Sequence, residues 1–391
     1  MKHNIALFDL LRAVASIAVV LCHCAILGGG ILFNNVGGRA VDVFMFTSGF
    51  LMVFTAVKSR EYDGVATLAG VRTFWLRRFF RISPLYYVML VVAVLAGPFL
   101  GACREQIGAV LSSAATPSDR YIFASPVSTL LWHLSYAFGL FPSKAYSTPL
   151  PDWSLSLEMQ FYAVFPIVFI LLRRHLVLFL TLCVATIGAG WYIQHTHDFP
   201  MPSFLPLKFH VFAAGMLTGA GLLSGNPRES RLLYFLGLLV VTAGERHPLL
   251  SLFVLACQTA LLLPTLPFGA AGQMLSRAIT TICRLPVTKF FADISYSLYL
   301  IHLLIALPFF GYVFAHPNIP SPIGSPLIWL GYSAIILAIS TSLAYLTYRF
   351  IELPGMALGK KISARRPRDA GATTTGLLEP AAPTPETSSG S

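Results

Sequence analysis

Apolar runs of roughly 17 to 25 residues recur along the chain, separated by short polar stretches, and each run is long enough to cross a hydrocarbon core of about 30 Å as a helix. The pattern predicts helices over 5–27, 40–57, 83–102, 153–172, 176–194, 204–224, 232–246, 248–268, 290–312 and 327–349, about ten transmembrane helices in all. The apolar stretch 125–141 is short for a span and reads as a re-entrant or interfacial piece. The fold class is therefore all-α, a polytopic membrane helix bundle. The first run is read as a retained helix and not a cleaved signal, because Asp9 and Arg12 interrupt it and it continues past the length of a signal-peptide core.

Composition agrees: 56% of the 391 residues are hydrophobic and only 11% charged, against about 25% charged in a soluble domain. With the N-terminus placed in the cytoplasm, 20 of the 27 Lys and Arg fall on that side, so the positive-inside rule makes both termini cytoplasmic. That asymmetry accounts for the net charge of +11 and removes the need for a nucleic-acid partner. Residues 1–358 form one membrane domain, while 359–391 read as a basic and then disordered cytoplasmic tail rich in Ser, Thr, Pro, Ala and Gly. The six cysteines are scattered through apolar runs without a disulfide framework. Adjacent side chains on a helix diverge by about 100°, so Cys22-His23-Cys24 does not make a metal site.

Chemistry concentrates in the ionisable residues at membrane depth, which default to a functional reading because burying them is costly. Arg12 and His23 stand eleven residues apart on one face of the first helix, separated by roughly 16 Å. Asp9 is placed to pair with Arg12, and His23 on a bland reading simply satisfies a neighbouring helix. Asp42, in DVFMFTSGFL, lies at a depth similar to His23 and either partners it or caps its own helix. Arg77, Arg78 and Arg81, in RRFFRISP at the inner start of the third predicted helix, suit phosphate or serve as positive-inside anchors, with Arg77 and Arg81 on one face. Ser154, Glu158 and Tyr162 share a face of the fourth. ISYSLYLIH, which includes His302, and the stretch ending Glu352-Leu353-Pro354 read as structural, the latter as a helix stop.

Taken in order, Asp9-Leu10-Leu11-Arg12 with His23, DVFMFTSGFL, RRFFRISPLYY, WSLSLEMQFY, ISYSLYLIH and YRFIELP resemble the acyltransferase 3 family of bacterial membrane proteins. Leu10 and Ala40 stand where that family often has glycines, and Met159 replaces a frequent second acid, leaving Glu158 to act alone. The sequence shows no appended extracytoplasmic hydrolase-like domain, which implies that one membrane domain performs the transfer.

The resemblance implies a bacterial inner-membrane O-acyltransferase, most simply an O-acetyltransferase. It implies no tightly bound cofactor: acyl-CoA, as acetyl-CoA, is a co-substrate whose phosphates meet Arg77, Arg78 and Arg81. The acceptor is a polysaccharide or lipid-linked oligosaccharide. His23 is the expected general base, with Arg12, Glu158 and Asp42 completing the catalytic set, and homo-oligomerisation stays open. The rival reading is a proton-coupled exporter in which Asp9, Arg12, His23, Asp42 and Glu158 relay charge. Such folds are commonly built from internal repeats, and none is evident in this sequence.

Overall fold

A computed structural model describes residues 2–34, 36–58, 67–245, 247–263 and 269–364. Within them the chain is helical, without strands. The first seven helices are α1 (Lys2–Gly28), α2 (Gly37–Lys58), α3 (Leu68–Leu95), α4 (Gly97–Val110), α5 (Pro126–Leu134), α6 (Trp153–Arg174) and α7 (Leu176–Thr196). There follow α8 (Phe209–Leu223), α9 (Pro227–Gly244), α10 (Pro248–Leu262), α11 (Gly269–Cys283), α12 (Pro286–Ala315), α13 (Pro326–Thr347) and α14 (Leu353–Ala364). The predicted tail lies outside the described residues beyond Ala364, and so do the last residues of the predicted 248–268 helix.

Seven of the described helices are long and apolar enough to cross a membrane: α1, α2, α3, α6, α7, α12 and the continuous run Pro326–Ala364. The chain is a multi-pass membrane protein. The predicted spans 204–224, 232–246 and 248–268 form α8, α9 and α10 of 15, 18 and 15 residues, about 22 to 27 Å of helix.

The third span departs most from expectation. Thr67 caps α3 by accepting a hydrogen bond from the Gly70 N–H at 3.0 Å, so the helix begins at Leu68, fifteen residues before Ser83, and carries RRFFRISP in its interior. Pro84 does not start it. The missing N–H of Pro84 frees the Phe80 carbonyl, and Gly355 of α14 packs against that carbonyl and the proline ring, where a Cβ would not fit. The break comes instead at Ala96, and α4 begins at Gly97 with Pro98 in its first turn. At the far end, Glu352-Leu353-Pro354 is not a stop: Tyr348–Glu352 widen into a π turn that accommodates Pro354, and the chain continues into α14.

The core is built around α1, α2, α8 and α12. Gly49 of α2 and Gly215 of α8 face each other's backbone, their Cα atoms against the Phe212 and Phe46 carbonyls. Only glycine permits so close an approach. Phe8 stacks on Phe50 with centroids 3.6 Å apart, tying α1 to the same seam. α1 also packs along α12, and α14 folds back on α3.

Candidate functional site

Six helices line a cavity of about 210 Å³, α8 contributing Phe212. Arg12 comes from α1, Thr47 and Ser48 from α2, Arg78 and Arg81 from α3, Ser154, Glu158 and Tyr162 from α6, and Ser295, Tyr296 and Tyr299 from α12. The face shared by Ser154, Glu158 and Tyr162 is thus a cavity wall. Glu158 accepts hydrogen bonds from Ser48 Oγ at 3.2 Å and from the Tyr162 hydroxyl. Arg12 Nη2 donates to Asp9 Oδ1 at 2.6 Å, as the spacing predicted. The Arg78 guanidinium lies 5.7 Å from the ring centroids of both Phe74 and Tyr162.

Arg12 Nε and Arg78 Nε are buried and have no hydrogen-bond partner among the described residues. Buried donors are rarely left so, and here a water, an ion or a ligand would complete them. Two unpaired guanidinium N–H groups beside Arg81 make the cavity suited to an anion.

The arginine cluster divides differently from the predicted face. Arg78 and Arg81, three residues apart, line the cavity, whereas Arg77 donates from Nε to Ser363 Oγ of α14 at 3.2 Å and is not part of the lining. Arg77 and Arg81, four residues apart on one face, both reach α14, Arg81 through Nη1 to Met356 Sδ at 3.7 Å, and of the two only Arg81 also borders the cavity.

His23 is not a neighbour of Asp42. Its Nδ1 lies 3.0 Å from His302 Nε2 of α12 and 3.1 Å from the Val19 carbonyl, while His302 Nδ1 lies 3.2 Å from the Leu298 carbonyl. Carbonyls only accept, so both Nδ1 atoms carry protons. His23 then donates to His302 Nε2, and its own Nε2 keeps a lone pair that no hydrogen bond among the described residues uses. His302 is fully buried and His23 only partly. Tyr299, a cavity wall, has its ring 6.3 Å from that of His302, which links the two sites through one side chain. Sequence reading assigned His302 to a structural hydroxyl-rich face; the available signal was that a histidine at membrane depth needs a partner.

Asp42 belongs to a separate ion cluster. Lys208 Nζ lies 2.9 Å from Asp42 Oδ1 and 2.8 Å from Glu245 Oε1. His210 Nε2 is 3.1 Å from the same Glu245 oxygen, and Arg39 Nη1 is 3.4 Å from the other. Burial works against ionising Glu245, but the hydrogen bonds from His210 and Lys208 and the Lys208 charge overcome it and hold the carboxyl at about 2. Asp42 therefore neither caps α2 nor touches His23; it anchors α2 to the start of α8 and the end of α9.

The fold is a multi-helix membrane bundle whose cavity is lined by three arginines and walled in part by Tyr299, the ring neighbour of His302. The sequence profile of the acyltransferase domain matches residues 5–345, and the chain belongs to the acyltransferase 3 family. It is 31% identical to the peptidoglycan O-acetyltransferase OatA of Listeria monocytogenes over 40% of its length and 23% of that protein's. It is 31% identical to the acyltransferase MdmB of Streptomyces mycarofaciens over 46% and 43% of the two chains. A putative membrane-bound transacylase, BcsY of Komagataeibacter xylinus, is 28% identical over 75% of this chain and 71% of its own. The matches thus span less than half of the first two relatives. No solved structure matches.

Proposed function

We propose that this protein is an O-acyltransferase of a bacterial inner membrane, moving an acyl group, most simply acetyl, from cytoplasmic acyl-CoA to a carbohydrate hydroxyl on the far side. The observation that carries this reading is the pair of unpartnered guanidinium nitrogens, Arg12 Nε and Arg78 Nε, in a cavity one of whose walls, Tyr299, has its ring 6.3 Å from that of His302. The arginines hold the phosphates and acyl carbonyl of the donor, with Arg78 and Arg81 on the side that charge asymmetry places in the cytoplasm. Family membership and the O-acetyltransferase and transacylase names of the relatives support the reaction class.

His23 Nε2 takes the acceptor hydroxyl proton while the hydroxyl oxygen attacks the thioester carbonyl. The C–S bond breaks, and the thiolate of coenzyme A leaves and takes that proton from His23. The imidazolium formed on His23 is held by its Nδ1–H bond to His302, which makes His302 a positioning residue. Glu158 orients Ser48 and Tyr162 at the donor's entrance.

In membranes supplied with labelled acetyl-CoA and acceptor glycan, His23→Ala is expected to lose about 10²–10⁴-fold in transfer rate at unchanged protein level. Transfer at the wild-type rate overturns the assignment of the base. Mass shifts in surface glycans of deleted and complemented cells name the acyl group and the acceptor.

A further inference from the structure

Two buried arginines take no part in the cavity described above. Arg104 lies in α4 and Arg120 in the 3-10 turn Ser118–Arg120. The chain leaves the cytoplasm along α3 and returns along α6, so the segment between them, which carries both arginines, lies on the outer side. Their exposures are only 8% and 5%. Leu100 and Ile107 flank Arg104 on one face of α4, and both pack in the apolar cluster that holds Val20 and Cys24 of α1 with Leu303 and Ala306 of α12. Those helix stretches carry His23 and His302, and the charges of Arg104 and Arg120 both act on His23.

No carboxylate pairs with either guanidinium among the described residues. Arg120 donates from Nε to the Thr148 carbonyl at 2.6 Å and from Nη2 to the Leu150 carbonyl at 3.4 Å, and it lies 3.5 Å from the ring centroid of Tyr146. These contacts orient the group without neutralising it. Arg104 makes no hydrogen bond among the described residues, and its Nε is buried. The groups whose charges act on Arg104 are Tyr121, Tyr146 and Arg120 itself. Glu105 and Asp119, the acids next to the two arginines in sequence, are exposed. A water can complete a hydrogen bond, but it leaves two neighbouring positive charges uncompensated in a buried place, which destabilises the fold. A planar guanidinium with free N–H groups matches the paired oxygens of a carboxylate or phosphate.

We propose that Arg104 and Arg120 bind an anionic group, carboxylate or phosphate, of the acceptor whose hydroxyl His23 deprotonates, so that the acceptor class is an acidic glycan and not a neutral one. Calling the ligand an acceptor rests on the acyltransfer reading; the anion site itself does not. The anion is carried either by a sugar of the glycan or by the phosphate that joins the glycan to a lipid. Arg120, held by the carbonyls of the loop before α6, supplies the fixed part of the site, and Arg104 the part that the ligand completes. Donor and acceptor are then each held by arginines, at opposite ends of the bundle.

The test measures binding to the full-length protein in phosphatidylcholine nanodiscs, without acyl-CoA. The probes are a tetrasaccharide containing glucuronic acid, the same tetrasaccharide with its carboxyls reduced to alcohols, and a short-chain polyprenyl pyrophosphate. An anionic probe is expected to bind about 10- to 100-fold more tightly than the neutral one, an advantage lost in Arg104→Gln and kept in Arg78→Gln. Tight binding of the acidic tetrasaccharide puts the anion on the sugar; tight binding of the pyrophosphate alone puts it on the lipid carrier. No binding of either anionic probe, equal binding of the acidic and reduced tetrasaccharides with none of the pyrophosphate, or an advantage that survives Arg104→Gln overturns the proposal. So does an advantage lost in Arg78→Gln, which would place the probe in the donor cavity. Because Arg104 has no partner to lose, ligand-free Arg104→Gln should unfold at or above the wild-type temperature, and a clear drop would make Arg104 a structural residue and overturn the proposal too. No arm involves transfer, so a wild-type transfer rate in His23→Ala would strike the acyltransfer reading and leave these affinities standing.

Discussion

The bundle holds two clusters of buried charge, around Lys208 and around Arg78, and they are built differently. Lys208 stands between two carboxylates, Asp42 and Glu245, and the second of these also takes His210 and Arg39. Around Arg78 three guanidinium groups share one cavity, the only ion pair there is Arg12 with Asp9 among the described residues, and two Nε–H groups have no acceptor. A set of charges that neutralise one another holds helices together; a set left short of anions is completed by a ligand. Buried charge by itself therefore says little about function, and the state of its pairing says much.

The largest effect expected from this contrast is on stability. Lys208→Met leaves Asp42 and Glu245 facing each other without their shared cation, and breaking a buried pair in this way costs about 3–5 kcal/mol. Thermal unfolding in detergent should show it, with partial recovery in Lys208→Met/Asp42→Leu. A variant as stable as wild type would mean that the Lys208 cluster holds nothing together.

The Arg78 cluster should respond in binding instead. Arg78→Gln and Arg81→Gln remove charge-assisted hydrogen bonds of about 1.5–3 kcal/mol each, which raises the KM for acyl-CoA about 10- to 100-fold with unfolding temperature nearly unchanged. Arg77→Gln, whose side chain meets Ser363 and not the cavity, should move KM less than about twofold, since a surface-type hydrogen bond contributes little to ligand affinity. Should Arg78→Gln unfold the protein while leaving KM alone, the two clusters would be of one kind.

Smaller again is the effect at the histidine pair. His302→Ala removes the acceptor of the His23 Nδ1 proton but leaves the Val19 carbonyl, so kcat should fall about tenfold, near the value of one hydrogen bond of about 1 kcal/mol or slightly more. The acid limb of the pH–rate profile should shift while KM stays put. An unchanged profile would reduce His302 to packing.

How these groups were readable in sequence follows from the range over which each is specified. The apolar runs, the Asp9–Arg12 pair and the shared face of Ser154, Glu158 and Tyr162 are local, fixed by helical periodicity, and they stand in the structure as expected. The start of α3 was placed at 83 because the charges of RRFFR precede the apolar run, while Pro84 is in fact accommodated inside the helix by Gly355 from a helix about 270 residues away in sequence. His302 as the partner of His23 and Lys208 as the partner of Asp42 are long-range or loop pairings with no periodicity to announce them. Depth alone suggested Asp42 for His23; helix rotation, which depth does not encode, turned Asp42 toward α8.

The least of the expected effects, and the one that probes the paired cluster most directly, is on acid tolerance. Glu245 is held at about 2 in the folded protein against 4.5 for an unperturbed glutamate, so the folded state binds its proton less readily than the unfolded state does. The stabilisation is complete above the unfolded value, declines as pH falls from about 4.5 toward about 2, and is gone below that. The groups that set it are Lys208, His210 and Arg39, with Asp42 competing for Lys208. Glu245→Gln removes this proton linkage, so its unfolding temperature should fall less steeply than that of the wild type across that interval, from a lower starting value at neutral pH. Parallel curves for the two proteins would show that the Glu245 contacts contribute nothing to folding, and the Lys208 cluster would then rest on Asp42 alone.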